Sequence, residues 1–332
     1  MADNPNISIE RVEELMLDFH RKKYNDLLQK YRDSRQLRSI FPTVTAIKDK
    51  VLFTEMEVGE VAQGYQAGWT PKGDLRLRPE EYQIRYIKVD KTIDPNSLRQ
   101  TYLADMIPGA KSEEHEIVRK FYMGMMDRAA RDTDVALVQG KYAAPTTGTP
   151  GAAMAMVDGL QEVVKGFVAK KQITPFKTTD AMDETNTCVV VRDLWKQIPE
   201  AFRYSPALKC YMFDGMYDNY LQSYDANYGT MRDYDPSARR YIRNTGCQIV
   251  RVPYGAASNM VLFTMENNIK LMDNNPSDAF SFDVQKDKRL LNYMMDWAAG
   301  ICIAIVGEAG NPDNQYVWCN DFEYIKDAIP AQ

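Results

Sequence analysis

Ser112-Glu-Glu-His-Glu-Ile-Val-Arg-Lys-Phe-Tyr-Met-Gly-Met-Met-Asp-Arg-Ala-Ala-Arg-Asp-Thr-Asp-Val-Ala-Leu-Val-Gln-Gly140 reads as one long helix. Ile117 and Val118, Phe121 and Tyr122, Met125 and Met126, Ala129, Thr133, Ala136 and Leu137 recur at helical rather than strand spacing. Ser112 is placed to cap the first turn, Glu113, Glu114 and Glu116 sit where the helix dipole favours anions, and Gly140 supplies the stop. Such a helix is roughly 40 Å long, about twice the ordinary globular length. A rod of that length needs a surface to lie across. Strand patterns on both sides predict an α+β domain with a sheet against its Phe121/Met125 face. The same stripe also suits a buried helix of an enzyme.

Upstream, Ser8 to about Asp33 carries Val12, Leu15, Met16, Phe19, Tyr24, Leu27, Leu28 and Tyr31 on a narrow helical stripe, with charge nearly everywhere else. A narrow stripe docks on one surface, so residues 1–45 read as an arm, with Val12, Phe19, Leu27 and Tyr31 as its contacts to a second copy. Between Arg21 and Arg38 seven Lys or Arg face only Asp26 and Asp33. An acidic start and basic end suit the helix dipole, and a contact with DNA or an acidic partner is the sharper alternative.

From Val51 to Asp90 two extended segments flank Pro71-Lys72-Gly73-Asp74, a tight-turn sequence. The ascending half covers Phe53 to Ala62, and the descending half alternates at Leu75/Leu77 and Tyr82/Ile84/Tyr86. Each half reaches about 50 to 60 Å if fully extended. A two-stranded ribbon of that length is unstable alone and its edges invite aggregation. Either another copy of the chain covers it or it folds back over its own domain; on the first reading Trp69, Pro71, Lys72, Gly73, Arg76 and Arg78 are inter-subunit contacts.

Downstream, the loop Tyr142 to Gly151 marks a domain border. Helical patterns follow over Asp158 to about Lys171, Arg192 to Phe202 and Asp214 to Tyr224, with strands at Val189 to Val191, Leu208 to Phe213, Cys247 to Val252 and Met260 to Thr264. Asp283 to Trp297 reads as helical and Gly300 to Gly307 as a buried strand.

A hydrophobic share of 45% and a charged share of 26% are those of a chain that builds a packed core. No apolar run approaches the roughly 18 residues of a membrane span and no signal-peptide layout opens the chain, so a cytoplasmic setting is expected. A net charge of -5 argues against a coat for nucleic acid. Cys188, Cys210, Cys247, Cys302 and Cys319 form no C-x-x-C and read as free buried thiols. The two histidines, His20 and His115, lack ligand-spaced partners and read as solvated, so neither a triad nor a zinc site is expected. Asp214, Asp218, Asp225, Asp233 and Asp235 are the best catalytic-looking cluster, but helix caps and turns explain them, and Thr230 stands where a calcium loop needs glycine. No cofactor is called for. A carboxylate-metal hydrolase built on these aspartates remains the alternative from another class.

The order of arm, long hairpin, long helix, compact α/β domain and return strand resembles the major capsid protein of tailed bacteriophages, the Hong Kong 97-like fold shared with encapsulins. Gly68 to Pro79 and Ile87 to Asp90 resemble the extended loop and its return; Tyr142 to Leu160 resembles the passage into the axial domain. Leu208 to Asp214 and Gly246 to Leu271 are similar to strand segments of its last third. The resemblance implies an arm at 1–45, an extended loop at 46–91, a peripheral domain at 92–151 with the spine helix at 112–140, an axial domain at 152–272 and a return at 273–332. It further implies a self-assembling, non-enzymatic subunit of pentamers and hexamers in an icosahedral virion shell around double-stranded DNA. Portal, scaffolding or decoration proteins would be its partners, and the host cytoplasm its place of assembly. An encapsulin-type compartment is the alternative within the same fold. Lys72 is a candidate for the covalent crosslink of some members, but no partner Asn is identified.

Overall fold

A computed structural model describes residues 9–94, 116–178, 181–228, 238–255, 258–274, 280–288, 290–308 and 314–321. Helix α1 (Ile9–Ser34) changes direction at Lys23, where φ is -108° and ψ 15°. Strands β1 (Thr43–Val44), β2 (Lys50–Val58), β3 (Leu75–Gln83) and β4 (Arg85–Ile93) follow. The spine helix α2 (Glu116–Gln139) has 24 residues and ends where the Gly140 N–H bonds the Ala136 carbonyl. The expected cap at Ser112, with Glu113, Glu114 and His115, lies outside the described residues. Then come α3 (Leu160–Ala169), α4 (Thr187–Gln197), the single turn α5 (Glu200–Arg203), β5 (Leu208–Phe213) and α6 (Asp214–Tyr228). β6 (Gln248–Val252), β7 (Val261–Met265), β8 (Ile269–Asp273), β9 (Phe280–Asp287), β10 (Leu290–Ile303) and β11 (Val317–Cys319) complete the order.

Two sheets carry the body. The first runs β1-β8-β10-β4, with β9 also paired to β10. The second runs β11-β7-β5-β6, in which β5 and β6 are parallel. α1 and α2 pack together across the first sheet through rings: Phe19 stacks on Tyr122 at 5.3 Å, Tyr122 meets Tyr293 of β10 at 5.8 Å, and Tyr31 meets Trp297 at 5.5 Å. The Tyr122 hydroxyl donates to the Met16 carbonyl at 2.9 Å, so its polar end is satisfied inside the core. The inward face of α2 is turned by about one residue from the expected one: Tyr122 and Met126 are fully buried, whereas Phe121 and Met125 are half-buried.

β5 links the two cores by its alternation. Leu208, Cys210 and Met212 face α4 and α6, while Tyr211 and Phe213 join the core beneath α2. The expected axial stretch 152–272 therefore contains α3 and β8, whose side chains belong to the first core, and the expected return 273–332 sends Val317–Cys319 to the second sheet. All five cysteines are free and buried.

Two expected elements take the opposite secondary structure. Asp283 to Trp297 is not a helix but most of the β9–β10 hairpin. Leu291, Tyr293, Met295 and Trp297 alternate inward at period two, and β10 is bonded on both sides, which no helix permits. Val189 to Val191 is not a strand but the first turn of α4. Asp183 turns the chain into that helix by accepting the Thr185 and Asn186 N–H groups, and Val190, Val191, Leu194 and Trp195 form its buried stripe. The helix expected to Phe202 breaks at Ile198-Pro199.

A buried charge network joins arm, spine and sheet. Arg35 Nε and Nη1 donate to Asp134 of α2 and Asp273 of β8, each at 3.0 Å; its side chain is 1% exposed and that of Asp134 0%. Arg35→Ala leaves Asp134 buried without its cation, so a loss of about 3 to 5 kcal/mol is expected in urea unfolding. Arg35→Lys should recover only part of it, because one ammonium cannot reproduce the two-sided fork.

Candidate interaction surface

β2 and β3 form a two-stranded sheet apart from both others, with Thr54 opposite Pro79 and Met56 opposite Leu77. Its two faces are inverted relative to an ordinary surface hairpin. Leu52, Met56 and Val58 with Leu75 and Leu77 point away from the subunit and are 54 to 63% exposed. Charged residues face inward: Arg78 meets Glu57 at 2.5 Å and Glu308 at 3.3 Å, and Arg76 meets Glu308 at 3.0 Å. Glu55, 9% exposed, accepts the Gly307 N–H at 3.1 Å. Burial holds its carboxyl above the ordinary range, against the pull of that N–H and of Arg78. Nearer the root the contact turns apolar, with Phe53, Tyr82 and Phe167 edge to face and the Tyr82 hydroxyl donating to the Ile303 carbonyl at 2.5 Å.

The paired ribbon is shorter than expected, about 30 Å for nine residues a strand. From Arg85 the chain leaves β2 and joins β10, so Tyr86 belongs to the first sheet. The loop 59–74 closes the tip. Tyr65 and Trp69 stand 99% and 93% exposed there, Gln63 Nε2 donates to the Thr70 carbonyl, and Lys72 bonds the Ala62 carbonyl and Glu60. Pro71 is exposed, and Gly73 takes φ +94°, where the left-handed turn requires glycine.

The residues expected to touch a second copy therefore divide. Trp69, Pro71, Lys72 and Gly73 lie together at the tip. Arg76 and Arg78 are engaged within their own subunit. Phe19, Leu27 and Tyr31 are 2%, 0% and 5% exposed, so the described part of the arm's stripe packs within its own subunit; the side chains of Val12 and Leu15 lie outside the described residues. Sequence reading missed the apolar row Leu52, Met56, Val58, Leu75 and Leu77, although its period-two alternation with Glu55, Glu57, Arg76 and Arg78 is written in the sequence. Alternation shows that a strand has two unlike faces but not which one meets water.

Other candidate groups do not converge. Asp214 is held by Arg251 at 2.5 Å and Asp225 by Arg239 at 2.9 Å, while Asp233 and Asp235 lie outside the described residues. Among the described residues no group of three or more His, Cys, Asp or Glu could hold a metal ion. His20 is not solvated: it sits edge-on to Phe282 at 4.5 Å, and burial lowers its pKa.

By sequence, the chain matches no protein-family model and no curated protein. By structure it is similar to a chain of the satellite phage P4 procapsid, at TM-score 0.53 and 12% identity over 89% of this chain and 98% of that one. A chain of the cyanophage A-1(L) capsid is similar at TM-score 0.52 and 11% identity, covering 86% and 92%. The capsid of Myoviridae phage XM1 gives TM-score 0.50 and 11% identity, covering 86% and 90%. This is a phage-capsid fold.

Two outcomes follow. Leu27→Ala, wholly inside the subunit, should cost about 2 to 5 kcal/mol in chemical denaturation. Glu55 takes up a proton more readily folded than unfolded, so its contribution to stability rises as pH falls from neutral toward the ordinary glutamate range. Glu55→Gln should therefore raise the thermal midpoint at pH 7, and the difference from wild type should shrink near pH ~4.

Proposed function

We propose that this chain is a structural subunit of a self-assembling protein shell. The observation that carries the reading is a hairpin whose apolar face is turned to solvent on a chain with a phage-capsid fold. An exposed row of Leu, Met and Val beside bare Trp69 and Tyr65 is stable in a population of subunits only when something covers it. A second copy meets that need, because head-to-tail contacts close into rings and many weak contacts then hold a shell. The finer reading is that rings of five and six build an icosahedral virion capsid in the host cytoplasm, enclosing double-stranded DNA without sequence-specific contact. Portal, scaffolding or decoration proteins would be its partners. On that reading residues 46–91 are the extended loop, 92–151 the peripheral domain with the spine, 152–272 the axial domain and 273–332 the return. The carboxylate-metal hydrolase has no such support, since Asp214 and Asp225 are occupied by arginines.

The test is Met56→Asp with Leu77→Asp, a facing pair on the outer row. Both side chains are exposed, so circular dichroism and thermal melting should stay close to wild type. Fast-sedimenting particles formed by the wild-type chain should disappear in analytical ultracentrifugation. Normal particles from the double variant would show that this face is not a subunit contact. Nuclease-protected DNA inside particles made during infection separates a virion from a compartment that stores protein.

A further inference from the structure

The charged face of the hairpin needs an explanation of its own. A hairpin with one apolar and one charged side, placed on a subunit surface, gains most by turning the apolar side inward. Here the reverse holds, and the groups responsible are few. Three glutamates, Glu55, Glu57 and Glu308, surround Arg76 and Arg78 between the hairpin and the turn after β10. Its start is closely held: Gly307 takes φ +101°, a Cβ there would lie 2.1 Å from the Asn314 carbonyl oxygen, and the Glu308 N–H bonds that same oxygen at 2.9 Å. Gly307 and Glu308 thus present one N–H and one carboxylate at fixed positions to Glu55 and to the two arginines. Among the described residues the hairpin has no ladder to either core sheet, so its angle is set by this cluster, the apolar root and the passage of β3 through buried Ile84 into β4.

We infer that Arg78 and Glu308 are positioning residues for self-association: they form a latch that holds the hairpin charged side in, and thereby present the row Leu52, Met56, Val58, Leu75 and Leu77 to a second copy. The latch acts before any partner arrives. It removes rotational freedom from the contact surface in the free subunit, so less ordering remains to be done on binding. Every charge it uses lies within one chain. Its failure therefore shows in the isolated subunit, whereas its consequence shows only on assembly. The consequence rests on the shell reading above; the latch does not.

The experiment uses the full-length chain. Because all five native cysteines are buried, spin labels go selectively to Tyr65→Cys at the tip and Val189→Cys on α4, both exposed. Wild type at subunit concentrations should give a narrow label-to-label distance distribution. Arg78→Glu places a fourth carboxylate in the cluster and should broaden it; adding Glu308→Arg restores the wild-type charge balance and should narrow it again. Particle yield on sedimentation should fall roughly tenfold in Arg78→Glu, about the size expected when a partly buried charge loses its partner, and recover in the double variant. If Arg78→Glu folds poorly, Glu308→Gln on the turn tests the same latch with the hairpin sequence intact. An unchanged distance distribution in both single variants overturns the latch. A broadened distribution with undiminished particle yield overturns its positioning role and leaves the shell reading standing. A wild-type chain that assembles neither alone nor with a scaffolding protein sinks the shell reading, while the distances still decide the latch.

Discussion

Arg35 is the point at which the arm, the spine helix and the first sheet are held to one another. A guanidinium 1% exposed, bonded on one edge to Asp134 and on another to Asp273, is costly to bury and more costly to leave half-paired. Its geometry admits little variation, since the two carboxylates come from α2 and β8. Arg38 adds a second bond to Asp273 at 3.0 Å, and the Leu37 N–H a second to Asp134 at 3.2 Å. Once the end of α1 is set there, the ring cluster Phe19, Tyr122, Phe282 and Tyr293 sets the rest of the layer. The apolar burial supplies the greater part of the stabilisation, and the ion pairs choose one register among those that burial alone would tolerate.

That arrangement also explains the basic segment from Arg21 to Arg38. Lys22 pairs with Asp18, Lys30 with Asp127, Arg35 with Asp134 and Asp273, and Arg38 with Asp273. A run that reads as a contact for an acidic partner finds its carboxylates within the subunit. The hairpin makes the same point from the other side. Its arginines, which look like outward contacts in the sequence, pair within the subunit, and its leucines are left outside.

Much of the fold was legible in the residues. The stripes of α1 and α2, the turn around Gly73, the strand-to-helix passage at Phe213-Asp214 and the free thiols follow from periodicity and turn chemistry. The likeness to phage capsid proteins was a resemblance in the order of elements, where sequence comparison finds no match. Asp283 to Trp297 was misread because its apolar residues satisfy both a helical and an alternating template. Pairing with β4 and β9 chose between them, and pairing is not local. The exposure of Trp69 and Pro71-Lys72-Gly73 was legible because they sit in turn sequence that no core would hold.

By itself, the sequence determined that α1 and α2 are helical, where the chain turns around Gly73, and that β2 and β3 have one apolar and one charged face. These depend on backbone preference and on spacing along a single segment. Only the tertiary structure decided which face of that hairpin meets water and that the arm's stripe is spent within its own subunit. Those outcomes depend on Gly307, Glu308, Asp134 and Asp273, which lie about 100 to 250 residues away along the chain from the groups they engage. Spacing within a segment carries no information about a partner at that distance; the free energy of folding, summed over both cores, selects it.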